Sequence, residues 1–498
     1  MDKRMDNNIG YRRTVKYLGL FGGVNGVSTL LNLLRNKLAS IILGVSGLGL
    51  IAIYNRTVQM FSDCTNLSLS FSAVRHLSEV YENGSESEVE HAVKVVRSLA
   101  LLAGLVGMLL FAAFSSLMSQ VISGDVACDK LSLLLLSPVL VFISVSGGEL
   151  AILRGARKLN SVAAYTLWTA FVALVIAIPA YYFFGTAGIL PSIFIIALFQ
   201  TVGILSRSLK IYSYRVKPFS LALLREGIGV VKMGAGYMYA TILTSCTIWL
   251  IYEGLADSGG DVAVGYFSAG FVIVNMLPTI MFSALDSDYY PRLSGAFSNV
   301  KLRNELVNEQ LEVHLLVQPP VIFATILLLP ELLPFLYLEE VSMAVRMTQI
   351  ALFGLLFNVL AYPISFMPLS KGDISFYLLQ ETASNVMNLL LVVLGYRFYG
   401  LVGVGCALLL SRLSDMVVAS AISFIRYGFR VSWRGVRSFV INILFAVAMS
   451  VVLLKTDGLL YWSLGGVIVV CSSLFSLWGL TKSGGAYLSV FNKFFSRK

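Results

Sequence analysis

Apolar runs of about twenty residues, the length that crosses a 30 Å hydrocarbon layer as an α-helix, succeed one another along nearly the whole chain. Leu131 to Ile152 and Phe439 to Leu454 are two of them. Lipid offers no water to the backbone, so such runs survive only as helices or closed barrels, and runs this long select helices. Of the 498 residues, 57% are apolar and 13% charged, with a mean hydropathy of +0.81; an average soluble domain is about 25% charged. A soluble enzyme is excluded, and an all-α polytopic membrane protein is predicted.

Fourteen crossings are predicted, near residues 14–43, 48–74, 95–123, 131–153, 161–184, 187–206, 233–254, 262–285, 313–338, 342–369, 374–396, 400–425, 438–454 and 459–480. The polar, basic stretch Met1 to Lys16 leads into the first without a small-residue cleavage site, so it reads as a retained helix and not a signal peptide. Lysine and arginine test this map, because connections on the cytoplasmic side carry the excess of positive charge. Of the 37, 29 fall in one alternate set of connections, including Lys3 to Lys16, Arg207 to Lys232 and Arg426 to Arg437. The opposite set holds only Lys130, Arg397 and Lys455. Both termini are therefore expected in the cytoplasm. The outward connections are short, such as Gly44 to Gly47, Gly185 to Thr186 and Gly254 to Asp261, and leave no external domain for chemistry.

The formal charge of +10 belongs to this bias and not to a nucleic-acid face. Cys64, Cys246, Cys406 and Cys471 lie in apolar segments and Cys128 in a polar connection; without a C-x-x-C spacing they read as buried thiols, with no metal site. His76, His91 and His314 are placed at the cytoplasmic edge, which argues against a histidine relay. Within Arg207 to Lys232, the segment Phe219 to Ile228 reads as an amphipathic helix at the inner leaflet.

The chain also resembles itself. Ser46-Gly-Leu-Gly-Leu-Ile-Ala-Ile-Tyr aligns with Val262-Ala-Val-Gly-Tyr-Phe-Ser-Ala-Gly, and Tyr182-Phe-Phe-Gly-Thr-Ala-Gly-Ile with Arg397-Phe-Tyr-Gly-Leu-Val-Gly-Val. Gly49 then matches Gly265 at an offset of 216, and Gly185 matches Gly400 at 215. Each repeat holds six crossings, an even number, so the two share one orientation and are related by an axis along the membrane normal. The expected organisation is an N-lobe over 1–206, a cytoplasmic amphipathic linker over 207–232, a C-lobe over 233–425, and a C-terminal helix pair with a basic tail over 426–498. A substrate would be taken in the cleft between the lobes.

Leu43-Gly-Val-Ser-Gly-Leu-Gly-Leu, Phe71-Ser-Ala-Val-Arg-His-Leu-Ser-Glu, Asp288-Tyr-Tyr-Pro-Arg-Leu-Ser and Asn308-Glu-Gln-Leu-Glu, in this order and spacing, give the chain a second likeness. It resembles the O-antigen translocases of the polysaccharide transport family, within the multidrug/oligosaccharidyl-lipid/polysaccharide (MOP) exporter superfamily. The resemblance implies a bacterial inner-membrane flippase that moves undecaprenyl-pyrophosphate-linked oligosaccharide from the cytoplasmic to the periplasmic leaflet. Partners implied with it are membrane lipids and a polysaccharide polymerase with its chain-length regulator. No cofactor is implied.

A charge at the bilayer centre costs from about 3 kcal/mol upward, so intramembrane ionisable residues are candidate sites. Arg35 stands eight residues before Leu43 and Arg56 eight after Leu48, which puts both at about 12 Å below the outer surface. Two guanidinium groups at one depth can grip a pyrophosphate through paired hydrogen bonds; the alternative is pairing with protein acids such as Asp63. Asp63 and Asn66, in Ser62-Asp-Cys-Thr-Asn, are candidates for lining a polar cavity, with Asp63 a cation or proton site. Arg412 and Asp415, three apart, share a helix face and can pair. Glu381, Asn385 and Asn388 form a polar stripe that can meet Arg412, contact sugar hydroxyls, bind a coupling H+ or Na+, or glue helices together. Glu149 is expected in a surface ion pair with Arg154, and Arg346 in a rim pair with Glu339 and Glu340.

Without a G-x-x-x-x-G-K-[ST] loop, ATP is not the expected energy source. Export of cationic drugs, coupled to protons or sodium, is the competing transporter reading. The topology is directly testable. A fluorescent protein fused after Lys498 should fluoresce, and alkaline phosphatase inserted at 124–130 should be active; the reverse pattern would invert the map.

Overall fold

In a computed structural model, the backbone is described for residues 2–66, 69–121, 130–213, 216, 220–233 and 235–482. Cys128 and the basic tail beyond Lys482 lie outside the described residues, as do the side chains of 280–288, which include Asp288. The helices are α1 (Asp2–Thr65), α2 (Leu69–Asn83), α3 (Glu86–Val121), α4 (Lys130–Leu136), α5 (Val139–Gly155), α6 (Leu159–Phe184) and α7 (Ile189–Ser208). They continue as α8 (Leu221–Met233), α9 (Ala235–Ala296), α10 (Val300–Leu336), α11 (Val345–Lys371), α12 (Ile374–Tyr427), α13 (Trp433–Lys455) and α14 (Gly458–Lys482). The protein is an all-α, multi-pass membrane protein, with no strand among the described residues.

Ten described helical stretches are long and apolar enough to cross a membrane. Four of them, of 43, 49, 45 and 54 residues, are each at least twice the length one crossing needs. Each contains one glycine in the left-handed region: Gly44 (φ 71°), Gly185 (φ 56°), Gly260 (φ 65°) and Gly400 (φ 58°). Without a Cβ, glycine enters this region freely, so one residue can reverse the chain and leave almost no backbone unpaired. The reversal is tight. A Cβ on Gly403 would overlap the Gly395 carbonyl oxygen, and one on Gly188 would overlap that of Ala180, so residues eight apart in sequence touch.

These turns also display the repeat. Gly44 and Gly260 share ψ −174°, and Gly185 and Gly400 have ψ −137° and −143°. The sequence offsets of 216 and 215 therefore carry one backbone conformation at each turn. An arginine reaches a matching tyrosine carbonyl in each repeat, although the two arginines stand 206 apart and are not themselves equivalent positions. Arg97 Nη2 reaches the Tyr212 carbonyl at 3.5 Å and Arg303 Nη2 the Tyr427 carbonyl at 2.6 Å, the two tyrosines being 215 apart.

Compactness divides the chain within α9. The first unit is 1–265 with 336–338, and the second is 266–335 with 339–498. In the first, α2, α3 and α5 close around Leu69, Leu77, Val96, Ala100 and Ile152. Leu223 of α8 enters this core, so the amphipathic helix docks on protein through its apolar face. In the second, Phe323, Leu329, Met347 and Leu352 are fully buried.

Several local expectations are corrected. Span two stops at Thr65 instead of reaching Val74, the chain bending at Asn66. The next long helix starts at Glu86, where the Ser85 N–H donates to Glu88 Oε2 at 2.6 Å in a capping box. Glu149 does not pair with Arg154, since five residues turn a helix by about 140°. It accepts two hydrogen bonds from Arg97, Nε–Oε1 at 2.7 Å and Nη2–Oε2 at 3.1 Å, with both side chains buried. Arg346 donates to the Leu453 carbonyl instead of a rim acid. His314 is fully buried between Gln310 and Gln318, its ring stacked on Tyr362. Cys406 and Cys471 are exposed, on faces that need no water in lipid.

The turns predict a contrast. Gly400→Ala meets open space and costs only the strained positive-φ backbone, about 1–3 kcal/mol. Gly403→Ala must push α12 apart and should lower the melting midpoint in detergent much further.

Candidate functional site

The second half of α1 and the first half of α9 run antiparallel, both inside the first unit. Gly49 seats against the Asp261 carbonyl and Gly265 against that of Val45, where only a missing Cβ permits the approach. Farther along the same register, the Trp249 indole N–H donates to Thr57 Oγ1 at 3.1 Å, and Ser245 Oγ donates to Asp63 Oδ2. Asp63 Oδ1 accepts from Gln59 at 2.9 Å. Cys64 and Cys246 face each other in this seam. Asp63 is thus held by a hydroxyl and an amide, and no arginine pairs with it among the described residues.

Arg56 projects from the same seam, its guanidinium 5.4 Å from the centre of the Tyr252 ring. Arg35, on the first half of α1, donates to its neighbour Asn36 at 3.3 Å and stands within electrostatic reach of Tyr181 and Tyr337. Tyr337 in turn neighbours Asn36 and Tyr252. The result is a continuous set, Tyr181, Arg35, Tyr337, Tyr252 and Arg56, in which the three phenols are at most 5% exposed. Among the described residues, neither arginine forms an ion pair with a carboxylate. Phenol rings and hydroxyls steady a guanidinium without cancelling its charge, so the cluster remains an anion-seeking surface.

Asn66, where α1 ends, has a buried Oδ1 with no hydrogen-bond partner among the described residues. The second unit holds the remaining candidates on the two halves of α12. Arg412 Nη1 lies 3.3 Å from Asp415 Oδ2, and Asn385 Nδ2 donates to the Glu381 carbonyl at 2.9 Å. Glu381 and Asp415 are electrostatic neighbours. Gly354 of α11 lets α12 close in at Leu409 and Arg412. Asp415 Oδ1, Gln380 Oε1 and Asn388 Oδ1 are buried without a hydrogen-bond partner among the described residues. Oxygen atoms of this kind suit a proton, a hard cation or hydroxyl groups. Among the described residues, no three His, Cys, Asp or Glu side chains converge as metal ligands.

An open cavity of about 560 Å³ on α2, α3 and α8 carries none of these candidates. His76, Glu79, Glu88, His91 and Glu226 line it, with His91 Nε2 2.8 Å from Glu226 Oε2, and its acids disfavour an anion.

No protein-family model and no curated protein sequence matches the chain. Solved structures do. The lipid II flippase MurJ, in an inward closed conformation, superposes with a TM-score of 0.70 at 16% identity, over 96% of this chain and 100% of that one. An inward-facing multidrug resistance MATE family transporter of the MOP superfamily gives 0.67 at 14% identity, over 80% and 94%. A MOP superfamily transporter from Pyrococcus furiosus, described as having a binding pocket of reverse polarity, gives 0.55 at 14%, over 82% and 93%. The chain shares the fold of these solved structures.

The tyrosines and Ser245 escaped sequence reasoning. Tyr181, Tyr252 and Tyr337 each stand within a few residues of the outer end of a predicted span, where tyrosine is ordinarily an interface anchor; that common depth is the only signal. Tyr252→Phe, which keeps the ring beneath Arg56, should shift the melting midpoint less than Tyr252→Leu, which forfeits about 0.5–2 kcal/mol of cation–π attraction.

Proposed function

We propose that this protein is a flippase for an undecaprenyl-pyrophosphate-linked oligosaccharide, carrying it from the cytoplasmic to the periplasmic leaflet of a bacterial inner membrane by alternating access. The observation that carries the reading is the pair Arg35 and Arg56, set among three buried tyrosines and without a carboxylate partner among the described residues. A guanidinium in a low-dielectric setting is costly unless an anion compensates it, and a pyrophosphate offers paired acceptors that match its fork of donors. Expelling an anion from a negative interior gains about 2.3 kcal/mol per charge per 100 mV. Asn66, Glu381, Asn385, Arg412 and Asp415 supply donors and acceptors that tolerate varied sugar hydroxyls.

A second reading is a proton- or cation-coupled multidrug exporter of the same superfamily. It is favoured by the electrostatic pairing of Glu381 with Asp415 and by the half-buried Asp63, since carboxylates attract cationic drugs and coupling ions.

Transfer of a labelled undecaprenyl-pyrophosphate oligosaccharide in proteoliposomes separates the two. The flippase reading expects transfer by the parent, a loss of at least tenfold in Arg35→Ala and Arg56→Ala, and no movement of a cationic dye. Dye export without glycolipid transfer, weakened by Asp63→Asn or Glu381→Gln, would place the protein with the drug exporters.

A further inference from the structure

The C-terminal helix pair lies outside the repeat and carries none of the candidate transport residues, yet its charge is strongly one-sided. From Met416 to Thr456 the 41 residues include Arg426, Arg430, Arg434, Arg437 and Lys455 and not one acid. The four arginines cluster where α12 ends and α13 begins, and Lys482 closes α14 beside them. All of these helix ends share the membrane side to which positive charge assigns the cytoplasm.

Arg426 is engaged by Asp373 at 3.2 Å. Arg430, Arg434, Arg437 and Lys482 have no carboxylate at ion-pair distance among the described residues. Aromatic rings hold three of them. Arg430 lies 5.6 Å from the Phe424 ring centre, while Arg437 and Lys482 flank the Trp478 ring at 5.9 and 4.9 Å. Arg434, three residues before Arg437, shares its helix face. Around these cations stand Ile425 at 81% exposure, Trp433 at 78% and Trp478 at 49%. Only 17% of the apolar window of α14 is buried against protein. Exposed indoles belong at the level of lipid headgroups, with guanidinium and ammonium groups beside the phosphates. The start of α13 is itself already capped, Ser432 Oγ accepting from the Gly435 N–H at 3.1 Å and donating to Glu312 Oε1 at 3.2 Å, so the cations and not the helix end supply the attraction.

We propose that Arg434, Arg437 and Lys482, with Trp433 and Trp478 as an aromatic floor, form a binding site for the phosphate headgroup of an anionic glycerophospholipid of the cytoplasmic leaflet. The site is separate from the arginine–tyrosine cluster of the first unit and does not depend on what the transporter carries. Its chemistry is a phosphodiester between two guanidinium groups and an ammonium, with the acyl chains along the exposed face of α13 and α14.

The test is native mass spectrometry of the full chain in detergent, titrated with dioleoyl-phosphatidylglycerol and with dioleoyl-phosphatidylcholine. The parent should bind phosphatidylglycerol at least tenfold more tightly. The triple variant Arg434→Gln, Arg437→Gln, Lys482→Gln should fall to the phosphatidylcholine level, and Arg437→Lys should keep most of the preference. Should the triple variant fail to purify as a single species, Lys482→Gln at the exposed helix end must by itself reduce the preference at least threefold. Equal binding of the two lipids by the parent, or an unchanged preference in the variants, overturns the proposal. Loss of the phosphatidylglycerol adduct to excess inorganic pyrophosphate also overturns it, by assigning the cations to a soluble anion. Because the readout is binding and not transport, it fails or succeeds independently of the flippase reading.

Discussion

Hydrocarbon gives a peptide N–H or C=O no partner but another peptide group, and each one left unpaired costs several kcal/mol. Everything in this chain follows from keeping the backbone inside helices. Where it must reverse direction, four of the reversals use a single left-handed glycine, so that crossings such as the two halves of α12 meet with hardly any intervening loop. The same economy sets the packing. Gly188 on Ala180 and Gly403 on Gly395 bring antiparallel helices into backbone contact at the turns, and Gly49 and Gly265 do so where α1 meets α9. Small residues that permit close approach supply in lipid what the hydrophobic effect supplies in water.

Charge is admitted into this fold in two ways. Where it serves structure it is fully compensated, as in the bidentate Arg97–Glu149 pair, whose guanidinium also bonds Ser208 Oγ and the carbonyl of Ser213. Removing either partner of such a pair leaves a buried charge alone and is expected to cost about 3–5 kcal/mol. Arg35 and Arg56 are different, because their neighbours are phenols and an amide. Phenols lower the cost of holding a cation in the dry interior and leave its attraction for an anion largely intact. The contrast within one unit separates the arginines that hold the fold from those proposed to hold cargo.

Much of this was legible in the residues. The pairing of Gly185 with Gly400 fell on two turns of matching φ and ψ, and that of Gly49 with Gly265 on two close helix contacts, while the turn glycines Gly44 and Gly260 at the same 216 offset carried no separate signal. The three-residue spacing of Arg412 and Asp415 placed them on one face, where they lie 3.3 Å apart. Glu149 was misread because its nearest cation in sequence, Arg154, lies on another face, while its partner is 52 residues away on α3. Span two is shorter than hydropathy suggests because a hydropathy average runs across the polar pair Thr65 and Asn66, where α1 ends.

Periodicity and apolar length are local properties, summed along the chain, so the sequence by itself determined the helical class and the repeat. Which side chains share a site depends on the register of helices far apart in sequence, and that register is set by close contacts such as Gly49 on the Asp261 carbonyl. Only the tertiary structure therefore decided that Asp63 meets Ser245 and not an arginine, and that Arg35 and Arg56 are joined through Tyr337 and Tyr252.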